Sequence, residues 1–327
     1  YEIQFGDWSS DVCSSDLALA AAWLCASAGA QDETDAGGQR HVRWSHRVGL
    51  ETAAGWVEGE IQKLRLEART RIDADIGDET DFTAILRLWT DPAFDFGQME
   101  SHAFPELSDG TLPWRIGEEG EFELREAYLR TPLGDATLTL GKQQIVWGVA
   151  DGLKVLDVVN PMDLREFILD DFEDSRIPLW AVNAQIPLRK WELQVVWLPD
   201  PSCHILPRLD SEYEIRSSTP EWPPWLDVVQ EPPDKPGRLL ADSDAGARLS
   251  TSRGGWDLTF NYLYHHDDVP ALRRRFALTL DGPAVVVRPD YERGHVIGGT
   301  LGKTFGRVAV RGEYGLFLDR PYSTDRL

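Results

Sequence analysis

The sequence predicts an all-β protein: a transmembrane antiparallel β-barrel with long extracellular loops and short periplasmic turns. Apolar and polar residues alternate with period two from about residue 41 onward, which gives a strand two chemically different faces. Tight turns alternate with long excursions, as expected where a barrel's turns lie on one side of a bilayer and its loops on the other. No apolar run approaches the ~20 residues that a spanning helix needs, so only alternating strands are left to cross a membrane.

The N-terminal residues are set apart from that pattern. Residues 1–17, which include Trp8-Ser9-Ser10-Asp11-Val12-Cys13-Ser14-Ser15-Asp16-Leu17, read as a translated sequencing adapter and are assigned no role. Residues 18–30, Ala18-Leu19-Ala20-Ala21-Ala22-Trp23-Leu24-Cys25-Ala26-Ser27-Ala28-Gly29-Ala30, have the short apolar core and small-residue end of a truncated secretory signal peptide. Cleavage after Ala30 is expected, leaving 31–327 as the outer-membrane barrel domain. The polar ending Ser323-Thr324-Asp325-Arg326-Leu327 lacks the terminal aromatic strand usual for such barrels, so the barrel is expected to be incomplete at its C-terminus.

The alternation then assigns side chains to faces. Arg43 and Arg47 stand between Val42, Trp44, His46 and Val48; Lys63, Arg65, Glu67, Arg69 and Arg71 stand between Leu64, Leu66, Ala68 and Ile72. Asn183 and Gln185, Glu192 and Gln194, and Asp257 and Asn261 take the same place in three later strands. These thirteen positions are the expected pore lining. Five charged residues on one face of one strand cannot form a packed core, which argues against a soluble β-sandwich, yet they can line water. Trp191, Trp197, Trp256, Tyr262 and Tyr264 are the expected aromatic girdles. At ~3.3 Å per residue, Trp256 and Tyr264 lie roughly 26 Å apart along the strand, or ~20 Å in height after a ~40° tilt, which suits a lipid-facing band of ~25 Å.

Turn chemistry divides the rest. Pro132-Leu133-Gly134-Asp135, Pro187-Leu188-Arg189-Lys190, Ser252-Arg253-Gly254-Gly255 and Phe305-Gly306-Arg307 are rich in turn-forming residues. The long excursions are 91–120, 148–178, 199–244 and 265–274, and about twelve strands are expected in all.

Composition excludes several functions. A net charge of −22 argues against nucleic acid as a partner, because phosphate binding needs clustered Lys and Arg. Past the leader the three cysteines fall to Cys203, so the remaining domain has no intramolecular disulfide.

The run Leu140-Gly141-Lys142-Gln143-Gln144-Ile145-Val146-Trp147-Gly148, then Asn160-Pro161-Met162-Asp163 and the acidic stretch 170–176, resembles a family of Gram-negative outer-membrane barrels catalogued as a domain of unknown function. That family is similar to porins and alginate-export barrels, and the resemblance extends over about 123–182. It implies a channel or transporter of undefined substrate and carries no catalytic set.

Within this stretch a β-bulge at Gly141 is expected to re-aim Lys142 and Gln144 inward. The spacing of Leu164, Phe167 and Ile168 is compatible with a helix over 158–171, belonging either to a loop folded into the lumen or to an external one. Asp170, Asp171, Glu173 and Asp174 lack calcium-loop spacing and read as a solvated acidic loop. His265-His266-Asp267-Asp268 is the one cluster that suggests an enzyme, but no nucleophile motif accompanies it and a polar loop is favoured. Trp222-Pro223-Pro224-Trp225 reads as a stiff extended loop.

The expected function is passage of small hydrophilic or amphipathic solutes across the outer membrane, with membrane lipid and the solute as partners. No catalytic residues, metal or cofactor are expected. Glu in place of Arg65 and Arg69 is expected to shift ion preference, as rings of charge set selectivity in pores. The alternatives are an outer-membrane hydrolase with a rim active site and a soluble periplasmic polysaccharide-binding β-protein.

Overall fold

The structure is a computed structural model of the chain. It describes residues 22–30, 42–54, 61–93, 106–117, 119–150, 155–167, 171–207, 227–233, 235–279 and 282–321, with the backbone alone for 22–30. The chain forms β1 (Ala22–Ala30), β2 (Val42–Ala54), β3 (Ile61–Asp75), β4 (Asp81–Thr90), β5 (Trp114–Ile116), β6 (Gly120–Leu133), β7 (Ala136–Gln143), the single turn α1 (Phe172–Ser175), β8 (Leu179–Leu188) and β9 (Trp191–Leu198). It continues through β10 (Asp227–Gln230), β11 (Asp244–Arg253), β12 (Trp256–His266), β13 (Ala271–Thr279), β14 (Gly282–Asp290), β15 (Arg293–Phe305) and β16 (Val308–Leu318).

One antiparallel sheet holds most of these strands in the order β1-β2-β3-β4-β6-β7-β8-β9-β11-β12-β15-β16, with β5 added on β6. Strands adjacent along this path are therefore also adjacent in sequence, apart from the loop elements between them. Two-residue turns join β6 to β7, β8 to β9, β11 to β12 and β15 to β16. Their first central positions, Gly134, Arg189, Gly254 and Gly306, take positive φ of 57–63°, which matches the twist of a tight hairpin. Long connections leave the opposite end of the sheet, as the sequence predicts. Among the described residues β1 and β16 are not paired to each other, so the sheet is all-β and antiparallel but is not seen to close.

The loops carry elements that period-two reading missed. β13 and β14 form a hairpin inside the β12–β15 connection, and β10 joins it in parallel as a separate three-stranded sheet. The segment expected as a leader lies partly outside the described residues. Its portion Ala22–Ala30 runs antiparallel along β2, from Ala22 opposite Thr52 to Ala30 opposite Trp44.

The expected bulge falls on another strand. Pairing of β4 with β6 slips between Ile85 and Leu86, leaving Arg125 as the extra residue on β6. No slip occurs at Gly141, which stays opposite Tyr128 and Ala181. Its φ of +128° and a virtual Cβ only 2.2 Å from the Ala127 carbonyl explain why glycine is needed there. Lys142, paired with Ala127 and Trp180, is therefore not re-aimed inward but keeps the face opposite to that of Gly141; it is buried there, with Nζ donating to the Thr111 carbonyl at 3.3 Å. The expected helix over 158–171 is also absent from its described part: Met162 bridges to Arg176 and Asp163 to Ile205, so their backbone groups pair across the loop instead.

Candidate functional site: the inner face and the segment folded onto it

Cross-strand register sorts the sheet into two faces. Starting from Arg47 opposite Arg69, the same face passes through Arg87, Glu123, Thr139, Asn183, Gln194, Arg248 and Asn261 to Gly298 and Gly315. All thirteen predicted lining residues lie on it: Arg43, Arg47, Lys63, Arg65, Glu67, Arg69, Arg71, Asn183, Gln185, Glu192, Gln194, Asp257 and Asn261. Trp191, Trp197, Trp256, Tyr262 and Tyr264 lie on the other, outer face.

Burial is inverted relative to a protein packed in water. On the inner face Lys63 is 3 % exposed and Asn261 4 %, whereas on the outer face Phe260 is 51 % exposed and Leu316 54 %.

What covers the inner face is the connection between β7 and β8. Ile145, Trp147, Leu156 and Val159 pack with Leu179 and Ala181 of β8, Val196 and Leu198 of β9, Leu263 of β12 and Val296 of β15. The segment is latched by hydrogen bonds. Asn160 Oδ1 accepts the Ile145 N–H at 2.7 Å, and its Nδ2 donates to the Ile177 carbonyl at 2.9 Å. Trp147 Nε1 donates to Gln194 Oε1 at 3.0 Å, and the N–H groups of Val149 and Val155 both donate to the Glu313 carboxylate at 3.0 Å. Leu156 sits where Gly298 leaves room, since a Cβ there would come within 2.5 Å of Leu156 Cδ2. The same segment thus touches β16 at one end of the sheet and β2 and β3 at the other, which requires the sheet to curl around it.

At the β2–β6 end the contacts are ionic. Glu166 bridges Lys63 and Arg65, and Lys63 also pairs with Glu51 at 2.8 Å. Arg69 pairs with Asp174 at 2.6 Å and Glu67 at 2.8 Å, and Arg47 stands 3.8 Å from Asp174. Arg165 reaches Asp163 at 2.6 Å and Glu121 at 3.1 Å, and Arg176 holds Asp157 at 2.7 Å. Beneath them Arg87 and Arg125 share Glu123 at 2.8 and 3.6 Å, while Arg125 also donates to the carbonyls of Glu173, Asp174 and Arg176. Trp89 lies under the Arg65 and Arg165 guanidiniums at 4.5 and 5.4 Å.

Burial alone would raise the Asp163 and Asp174 carboxyls. The charges and hydrogen bonds of Arg165 on the first and Arg69 on the second outweigh it, and both are held below the usual carboxylate range.

Two expectations change accordingly. Of the acidic stretch, Asp171 and Glu173 are exposed to solvent, but Asp174 is ion-paired inside; Asp170 lies outside the described residues. Arg65 and Arg69 do not form an open basic ring, since acids of the folded-in segment neutralise them. The further acids of this ionic cluster, Glu121 and Glu123 of β6 and Asp163 and Glu166 of the segment, were missed because nothing in their local pattern announces a distant partner.

Below the segment, toward the two-residue turns, lies a cavity of about 380 Å³ lined by Tyr128, Arg130, Gln185, Glu192, Arg248 and Ser250 among others. Its walls are polar, which suits water and hydrophilic solutes.

At the loop end of β12 the His-Asp cluster divides. His266 Nδ1 faces Asp244 Oδ1 at 3.0 Å while its Nε2 accepts from Arg293, and Asp267 pairs with Arg320 at 2.5 Å. Three of the four, His265, Asp267 and Asp268, line one cavity, while His266 is turned to Asp244. Trp222 to Trp225 lie outside the described residues.

These observations define an all-β protein with one broad antiparallel sheet, a polar inner face and a connecting segment folded onto that face. Over residues 59–199, which take in β3 to β9 and the segment, the chain is similar to a family described as a protein of unknown function (DUF1302). A search of curated proteins and a search of solved structures each returned no match.

Proposed function

We propose that the chain is an outer-membrane β-barrel: a porin-like channel for small hydrophilic or amphipathic solutes, exported by its leader, with the inner face as lumen and the β7–β8 segment as constriction. The inverted burial of the two faces carries this reading. Apolar side chains covering one whole face of a broad sheet would be unfavourable in water, and acyl chains are the solvent that accepts them.

Outer-face aromatics gather at two levels. Near the turns Trp256 meets Phe305 with ring centroids 6.1 Å apart, and the Lys303 ammonium lies 4.6 Å from the Trp256 ring. Near the loops Tyr264 stacks on His295 at 4.9 Å, under Arg293 at 4.6 Å. Aromatic rings with cations reaching past them suit the two headgroup levels of a bilayer. In hydrocarbon no backbone edge can stay unpaired, so the proposal requires further strands to join β16 to β2 once β1 is removed by cleavage.

The test is expression of the complete gene product with its leader. It is expected to partition into the detergent-extracted outer-membrane fraction and to give discrete conductance steps in planar bilayers. Recovery in the aqueous periplasmic fraction would refute the proposal and favour a soluble binding protein; a membrane-resident chain without conductance would refute the channel.

A further inference from the structure

On the loop side of the folded-in segment lies a second cavity, of about 470 Å³, whose chemistry is opposite to that of the polar one. Val155, Val158, Val296 and Phe317 are among its apolar lining residues, and Asp268 lines it together with Asp267, Glu292 and Arg320. The volume fits a small molecule of one or two rings.

Among the described residues the one ionisable base within ion-pair distance of Asp268 is His204. The carboxylate lies 3.7 Å from His204 Nδ1, but that nitrogen accepts the Met162 N–H at 2.9 Å and so carries no proton to share. The nearby guanidiniums are engaged elsewhere: Arg320 by Asp267 at 2.5 Å, and Arg293 by His266 at 3.2 Å and the Ser243 carbonyl at 2.9 Å. Burial, with Asp244 and Asp267 adding to it, raises the Asp268 carboxyl well above the usual range.

We propose that this cavity binds a small apolar molecule bearing one primary amine, its body against Val155, Val158, Val296 and Phe317 and its ammonium on the Asp268 carboxylate. On binding, the Asp268 proton passes to solvent and the ammonium takes its place, so charge balances within the site. The acidic neighbours that disfavour an unpaired carboxylate favour an incoming cation. Conduction plays no part, so the site stands apart from the channel reading.

The test is calorimetric titration of the protein in lipid nanodiscs, or in buffer if the chain proves aqueous, with 2-naphthylmethylamine, 2-naphthylmethanol and 2-naphthoate. The amine is expected to bind at least about tenfold more tightly than the alcohol, a difference of about 1.4 kcal/mol. About one proton should be released per amine bound, read from titrations in buffers of different ionisation enthalpy, and the carboxylate should not bind. Asp268→Asn should abolish the amine's advantage and the proton release while keeping the alcohol, and Val158→Trp, which fills the cavity, should abolish both ligands. Equal affinity for amine and alcohol in the unaltered protein, a retained preference in Asp268→Asn, or amine binding by Val158→Trp would each overturn the proposal.

Discussion

Glu123 is the residue on which the ionic end of the inner face turns. Arg87 and Arg125 both depend on it, and the guanidinium of Arg125 is almost wholly buried. Removing one member of a buried ion pair leaves the other charge desolvated and uncompensated, at a cost of about 3–5 kcal/mol. Glu123→Gln is therefore expected to lower stability by about that amount in urea unfolding from lipid vesicles, whereas Glu192→Gln, at an exposed position on the same face, should change it little; equal effects would show that the pairing in the structure is not formed. At this scale the sequence was half legible. Alternation gave the face of every predicted lining residue, because side-chain direction in a strand is local. It could not give their partners, because Lys63 and Glu166 are 103 residues apart and only the fold brings them together.

The element that matters most is the segment between β7 and β8. Its latch is partly ionic, so it should respond to acid. Asp163 and Asp174 have carboxyls held below their ordinary value, and such groups contribute stability that is complete above the unfolded value of ~3.9 and is lost as pH falls through the lower folded one. Protonating Asp174 would remove its hold on Arg69 and Arg47, and protonating Asp163 would loosen Arg165. The expected outcome is steady single-channel conductance from neutral pH down to about pH 5, then a reversible rise below about pH 4 as the segment leaves the inner face. Asp174→Asn should show part of that rise already at neutral pH. Conductance that stays flat through the acid range would show that these pairs do not hold the segment.

Why the segment was misread as partly helical is physical. The stripe of Leu164, Phe167 and Ile168 has helical spacing, but Met162 and Asp163 gain backbone partners in Arg176 and Ile205, and the single turn α1, Phe172–Ser175, lies beyond the expected range. The β13–β14 hairpin was missed for a similar reason. Arg273, Arg274 and Arg275 run consecutively and break the period-two alternation, and the strand is fixed instead by pairing with β14.

For the whole molecule the decisive question is which solvent faces Phe260. Strand order, hairpin turns and the two faces were legible in the sequence because each follows from period two and turn chemistry; the infilling of the inner face was not, since it depends on tertiary contacts. The two solvents make opposite predictions for one substitution. In water Phe260→Arg would replace an exposed apolar ring with a charge, a surface change usually worth within about 0.5 kcal/mol. In a bilayer it would put that charge near the middle of the outer face, four residues from Trp256 and four from Tyr264, at a cost of about 2–4 kcal/mol. Ser250→Arg, directed into the polar cavity, should cost far less in either medium. Urea unfolding of both variants from vesicles is expected to show a large loss for Phe260→Arg alone. A neutral Phe260→Arg would mean that water, not lipid, covers the outer face, and the inverted burial would then need a protein partner in place of the membrane.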